Sequence, residues 1–239
     1  CVVDSTNMLN ENKGMSETLL KEPIAKIIKE SKGRVIFTSF ASNLGRLKLI
    51  AEAGEKSGRS IAIFGRAMNN MLSKALETGI FNDFPTLIDP RKAHLIPREN
   101  LLVIATGSQG ETRAASAQLS RGKYMGLELE EGDTFVFSSK TIPGNEISVN
   151  RIINNLSEKG VIVKYSDDRD YHVSGHTNIP DMIGFYKNVK PLLVVPMHGE
   201  IRHLIAHKRV LEEKNIRAEI VRNGEIIEID KELKIKKYA

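Results

Sequence analysis

A chain of 239 residues, 41% hydrophobic and 27% charged, is long enough to bury a full core, as one large domain or two small ones. No apolar run approaches the roughly 18 residues that span a bilayer, the opening CVVDSTN lacks the basic and apolar regions of a signal peptide, and Cys1, the one cysteine, allows no internal disulfide. These features argue against a membrane-spanning or disulfide-framework protein and fit a reducing cytoplasm; a net charge of +5 suits contact with a polyanion and equally a lysine-rich solvated surface.

Taken in chain order, CVVD reads as a strand entering an Asp-Ser-Thr-Asn turn, with strand partners expected upstream, as in an excerpt from a longer protein. GRVIFTSF (33–40) is a buried-strand run, and SNLGRLKLIAEAGEKSG is a helix with Ser42 as its N-cap and glycine at its end. RSIAIFG and RAMNNMLSKALETG repeat that pair. NLLVIATGSQGETRAASAQLSRG gives strand, glycine-containing turn and helix; DTFVFSS, NEISVNRIINNLSEKG and VIVKYS keep the rhythm. Strands alternating with helices predict parallel βαβ units, because a parallel neighbour is reached only by a crossover. The expected fold is α/β, a doubly wound parallel sheet with helices on both faces over about 30–170. The last third, KPLLVVPMHGEIRHLIAHKRVLEEKNI and AEIVRNGEIIEID, predicts strand, loop, helix and a hairpin at Asn223 and Gly224.

In such folds the loops at the carboxyl ends of strands build the site. In ATGSQGE, Gly107, Ser108, Gln109 and Gly110 lie between a strand and a helix, where free helix N–H groups favour an anion; the segment reads as a phosphate seat or as a plain turn. It matches neither the dinucleotide fingerprint nor a P-loop. In YHVSGHTN, His172 and His176 flank Ser174 and Gly175 in a turn, so both imidazoles face one pocket, with the Ser174 hydroxyl available to a phosphate oxygen, or each is a satisfied loop histidine. VVPMHGE ends a strand with His198, placed to ligate metal, and Glu200, placed to orient it. Zinc takes three or four protein ligands, and the chain holds no H-x-H-x-D-H, no H-E-x-x-H and no cysteine pair. His203 and His207, four apart, sit in an ordinary amphipathic helix pattern.

DSTN, SFASNLGRL, TGSQGE, IPGNE, HVSGH and PMHGEIRHL, in that order and across essentially the whole chain, strongly resemble the bacterial ribonuclease J group of metallo-β-lactamase-fold nucleases with a β-CASP domain. The resemblance implies the end of a first metallo-β-lactamase segment at 1–14, a β-CASP domain at 15–177 and a returning metallo-β-lactamase segment at 178–239. It implies that Asp4 orients ligands around a two-metal centre, that His176 donates or relays a proton to the leaving oxygen, and that His198 is a metal ligand. His172 and Ser174, with Gly107, Ser108, Gln109 and Gly110, would hold an RNA phosphate. Thr112, Lys140 and Thr177 stand where proline, arginine and alanine are usual in the group.

The implied activity is metal-dependent hydrolysis of RNA phosphodiesters, endonucleolytic or 5′-to-3′ exonucleolytic, in RNA processing and decay. The implied cofactors are two divalent ions, zinc or manganese, held mostly by an H-x-H-x-D-H segment that this chain does not contain, so the chain is expected not to assemble the two-metal site alone. The implied partner is single-stranded RNA, including RNA with a 5′-monophosphate, met in the cytoplasm, with no membrane, by a homo-oligomer. RNA contact is expected to be electrostatic, through residues such as Arg46, Arg66, Arg113 and Lys140, since aromatics are 5% and tryptophan is absent. A non-catalytic RNA- or nucleotide-binding α/β domain, and a β-CASP nuclease acting on DNA or RNA 3′ ends, are the competing readings.

Overall fold

The computed structural model describes residues 1–165 and 171–238; Ser166, the last residue of the predicted strand run VIVKYS, lies outside them. The elements are β1 Val2–Asp4, α1 Lys21–Glu30, β2 Val35–Thr38, α2 Leu44–Lys56, β3 Ser60–Phe64, α3 Arg66–Glu77, β4 Leu101–Ala105 and α4 Ala115–Arg121. There follow β5 Thr134–Phe137, α5 Glu146–Glu158, β6 Ile162–Lys164, α6 Ile179–Val189, β7 Val195–Met197, α7 Ile201–Glu212, β8 Ile226–Ile229 and β9 Ile235–Tyr238. They form two compact units, Ser16–Val173 and the pair of segments Cys1–Met15 and Ser174–Ala239.

The larger unit is built on a five-stranded sheet, order β3-β4-β2-β5-β6, in which every pairing is parallel. Its strands are apolar at nearly every position because both faces are covered. Side chains alternate between faces. Val35, Phe37, Ile61, Ile63, Leu102, Ile104 and Val136 pack with residues of α1, α2 and α3, such as Ile28, Ile50 and Leu72. Ile36, Ala62, Phe64, Val103, Phe135 and Phe137 pack on the other face with residues of α4 and α5, such as Leu119, Ile152 and Leu156. The doubly wound sheet expected from the sequence is present. The helix after β2 therefore lies on one face and the helix after β4 on the other, so the crevice of a topological switch opens where those neighbouring strands end.

Two local readings change. The N-cap of α2 is Asn43, whose side chain accepts from the Arg46 N–H, and not Ser42. Asn223 and Gly224 do make a turn, closed by Glu225 N–H to Arg222 C=O, but no ladder crosses it; the antiparallel pair is β8 with β9.

In the smaller unit β1 pairs in parallel with β7, Val2 opposite Val195 and Asp4 opposite Met197. This register sets the turn after β1 beside the loop after β7. Met8, Met182, Tyr186, Val194, Leu211 and Ala218 form its core. Among the described residues no helix is long and apolar enough to cross a membrane.

Candidate active site

In the smaller unit the turn D-S-T-N uses each of its four side chains. Asp4 Oδ2 lies 2.7 Å from His176 Nδ1, and Asp4 Oδ1 accepts the Thr6 N–H at 2.7 Å. The Ser5 hydroxyl turns inward to His207. Thr6 Oγ1 donates to the His198 carbonyl at 2.8 Å, and Asn7 Nδ2 reaches Ser174 Oγ, His176 O and Asn178 Oδ1 within 3.2 Å. One tetrapeptide thus fixes both histidine loops.

Asp4, His176 and His198 each present a ligand atom, and the three atoms lie within 4.8 Å of one another. The imidazole centroids of His176 and His198 are 5.5 Å apart. Such donors suit zinc or another first-row divalent ion, and with Asp4 and His176 bonded to each other it is the His198 imidazole that is placed to ligate, which alone does not close a zinc site. Burial opposes ionisation of Asp4, yet the Thr6 N–H and the His176 ring hold its carboxyl below the ordinary aspartate value. His198 has φ +53, a left-handed conformation that costs a non-glycine residue about 1–3 kcal/mol and clusters at functional positions. Glu200 does not orient His198: it begins α7, where it forms a capping box with His203, and its carboxylate pairs with Arg202. Ser174 is exposed and accepts the His176 N–H as well as Asn7.

The other expected residues belong to the larger unit. Gly107 and Gly110 have φ of +107 and +78, and a Cβ at either would fall within 2.6 Å of other atoms, so both allow close backbone packing. Gln109 is a latch: its amide donates to Lys140 C=O and accepts from Ile142 N–H and the Asn145 amide. The helix expected to follow these glycines directly starts only at Ala115, so its N–H groups are not the anion seat read from ATGSQGE.

What this edge of the sheet does offer is orphaned polar atoms. Thr38 Oγ1, Ser39 Oγ, Ser108 Oγ and His172 Nδ1 are buried without a hydrogen-bond partner. Thr38 pairs in register with Ala105 on one side and Phe137 on the other, so Thr38, Ser39 and Ser108 follow adjacent strands at the switch-point crevice. The His172 ring bonds to the Ser138 backbone beyond β5. Unpaired buried hydroxyls are rare enough to call for an explanation. The sequence showed Thr38 and Ser39 only as the end of a strand; burial without a partner singles them out. Arg46, expected as a phosphate contact, is fully buried and committed to protein groups.

Burial, reinforced for His172 by Arg46, pushes the imidazoles of His172 and His207 down to about 4, whereas an unfolded histidine titrates near 6.5. Between those values the unfolded chain binds more protons, so stability is complete above about pH 6.5 and is lost as the pH falls towards 4. Urea unfolding is expected to show the midpoint dropping steadily from pH 7 to 4.5, with His207 alone contributing at most about 3 kcal/mol. A flat midpoint over that range would show that neither ring is buried neutral.

Residues 32–156 match the family model "Ribonuclease J, beta-CASP domain", and residues 166–221 match "Zn-dependent metallo-hydrolase RNA specificity domain". Ribonuclease J of Sinorhizobium meliloti is 40% identical over 229 residues, which is 95% of this chain and 41% of that protein. Ribonuclease J 1 of Streptococcus pyogenes is 38% identical over 94% of this chain and 41% of its own length, and ribonuclease J of Synechocystis is 34% identical over 95% and 36%. The chain spans about two fifths of the length of these curated relatives.

Proposed function

Because this chain belongs to the ribonuclease J family of β-CASP proteins, we propose that it forms part of a metal-dependent nuclease that hydrolyses RNA phosphodiester bonds. The carrying observation is the convergence of Asp4, at the end of β1, with His176 and His198 from two separate loops of the same unit. In this reading that unit, 1–15 with 174–239, is the end of a metallo-β-lactamase fold, and 16–173 is the β-CASP domain. His198 holds a divalent ion, zinc or manganese, through its neutral imidazole, and a second ion requires ligands from residues beyond these 239. When bound, such ions supply an activated water and offset charge on phosphorus.

The chain's own groups do the rest. Asp4 accepts Nδ1–H of His176 and stabilises the imidazolium, which leaves Nε2–H for delivery to the departing 3′ oxygen. The ring is then neutral, its remaining proton on Nδ1 and still hydrogen-bonded to the Asp4 carboxylate. In the β-CASP domain, the Thr38, Ser39 and Ser108 hydroxyls have donors to spare for an RNA phosphate, including a 5′-monophosphate, while the neutral His172 ring offers Nδ1 as an acceptor to a protonated phosphate or bridging water, with Gly107, Gln109 and Gly110 shaping the turn that presents Ser108. Ser174, already bonded to the turn after β1, contributes a hydroxyl on its exposed side.

Calorimetric titration of the intact protein with Zn²⁺ or Mn²⁺ tests the reading. His198→Ala is expected to weaken one site at least about tenfold and to lower RNA cleavage in parallel. An unaltered titration would remove His198 from the metal, and binding of RNA with no cleavage by wild-type protein would favour the non-catalytic alternative.

A further inference from the structure

Ser5, His207 and Tyr186 are buried to 0, 0 and 4% exposure, and they form a continuous relay: Ser5 Oγ to His207 Nδ1 at 2.9 Å and His207 Nε2 to Tyr186 Oη at 2.6 Å. The imidazole uses both nitrogens, so neither is left for a metal or a substrate. A neutral ring donates from one nitrogen and accepts at the other, and each hydroxyl supplies the complementary role. Three polar side chains so placed are costly ornaments for a core otherwise made of Met8, Met182, Val194 and Leu211, where apolar groups of the same size would pack without any requirement for direction. Direction is what a relay adds.

The elements it joins are those that begin at the candidate site. Tyr186 is on α6, whose N-cap Asn178 lies two residues after His176. His207 is on α7, which starts three residues after His198. Ser5 follows Asp4 directly; the Asp4 carboxylate faces outward to His176 while the Ser5 hydroxyl faces inward, as successive side chains of an extended chain must. The inward bond of Ser5 therefore fixes the backbone of this turn, and with it the Thr6 N–H that holds the Asp4 carboxylate.

We propose that His207 is a positioning residue: held by Tyr186, it anchors Ser5 and so aims the Asp4 carboxylate at His176 Nδ1. The proposal rests on the reading of Asp4 and His176 as a working pair. It assigns His207 a role apart from metal binding and ties the geometry of that pair to a tyrosine on a different helix. Removing the Tyr186 hydroxyl frees His207 to turn, releases Ser5 and loosens the Asp4 to His176 bond while leaving both residues of the pair in place.

The test compares wild type, Tyr186→Phe and Ser5→Ala in the intact protein by two independent readouts. The first is the ¹⁵N spectrum of the His176 imidazole in metal-free protein: wild type is expected to hold its proton on Nδ1, and both variants to show a mixture of tautomers. The second is steady-state RNA cleavage: kcat is expected to fall about tenfold with KM unchanged, the size seen when the group orienting a site residue is removed. A His176 spectrum unchanged in both variants would overturn the proposal even if thermal stability fell. Altered tautomers with no cleavage by wild type would uphold it while refuting the nuclease reading. Because Tyr186→Phe keeps the ring, a folded variant is secured even if Ser5→Ala unfolds.

Discussion

Replacing His176 by alanine in the intact protein is expected to lower RNA cleavage by about 10²–10⁴-fold, the usual contribution of a positioned general acid, while bound metal stays unchanged. The expectation follows from the division of labour between its nitrogens: Nδ1 is taken by Asp4 at 2.7 Å, and no hydrogen bond engages Nε2 among the described residues. Asp4→Asn separates charge from shape. The amide oxygen still accepts Nδ1–H, but a neutral group stabilises the imidazolium far less, so a smaller loss of about 10–100-fold is expected. If His176→Ala instead emptied the metal site, the ring would be a ligand and the proton would have another source. Metal content and single-turnover cleavage measured on the same samples distinguish the two.

Arg46→Met is expected to destabilise the protein by about 2–3 kcal/mol, since it strips buried Ser138 and Tyr171 groups of their partner while the half-exposed Glu17 carboxylate can be rehydrated. Its guanidinium is fully buried and binds both Glu17 oxygens at 2.7 and 2.8 Å, Ser138 O and Oγ at 3.0 and 2.6 Å, and Tyr171 O at 3.0 Å. One side chain on α2 thereby ties the residues before α1, the end of β5 and the segment leading to His172. Burial opposes ionisation of Glu17, but Arg46 and Asn43 hold its carboxyl below the ordinary value. Methionine fills much of the volume and satisfies none of these groups. Arg46→Lys keeps the charge without the planar fork and is expected to recover only part of the loss. Urea unfolding of the three proteins gives the order; an Arg46→Met midpoint equal to wild type would place the guanidinium in solvent.

The strands of the larger unit were legible because burial on both faces writes itself into the sequence as apolar runs, and VIFT, SIAIF and LLVIA leave little else to be. Asp4, His176 and His198 were singled out by family motifs, which mark residue identity rather than local pattern. Their proximity was not, since it depends on a parallel pairing of Val2–Asp4 with Val195–Met197 across almost two hundred residues. The same holds for His207, whose amphipathic surroundings describe a helix face and say nothing of a serine 202 positions away. Where Glu200 and Gln109 spend their side chains was not legible for a related reason. A polar residue beside a motif has local backbone groups to satisfy first, and a helix start or a neighbouring loop claimed each of them. Arg46 looked like a surface cation because sequence cannot distinguish a guanidinium with five internal bonds from one in water.

The left-handed backbone of His198 bears on how such a protein evolves. Glycine or asparagine accepts that conformation more readily than histidine does, so if His198 holds the metal as proposed, fold and activity pull this position in opposite directions. A library of variants selected for heat resistance alone should drift at position 198 towards those residues, and one selected for RNA cleavage should restore histidine. On the proposed reading, the resting strain is what the fold gives up to place an imidazole where the bare polypeptide would choose otherwise.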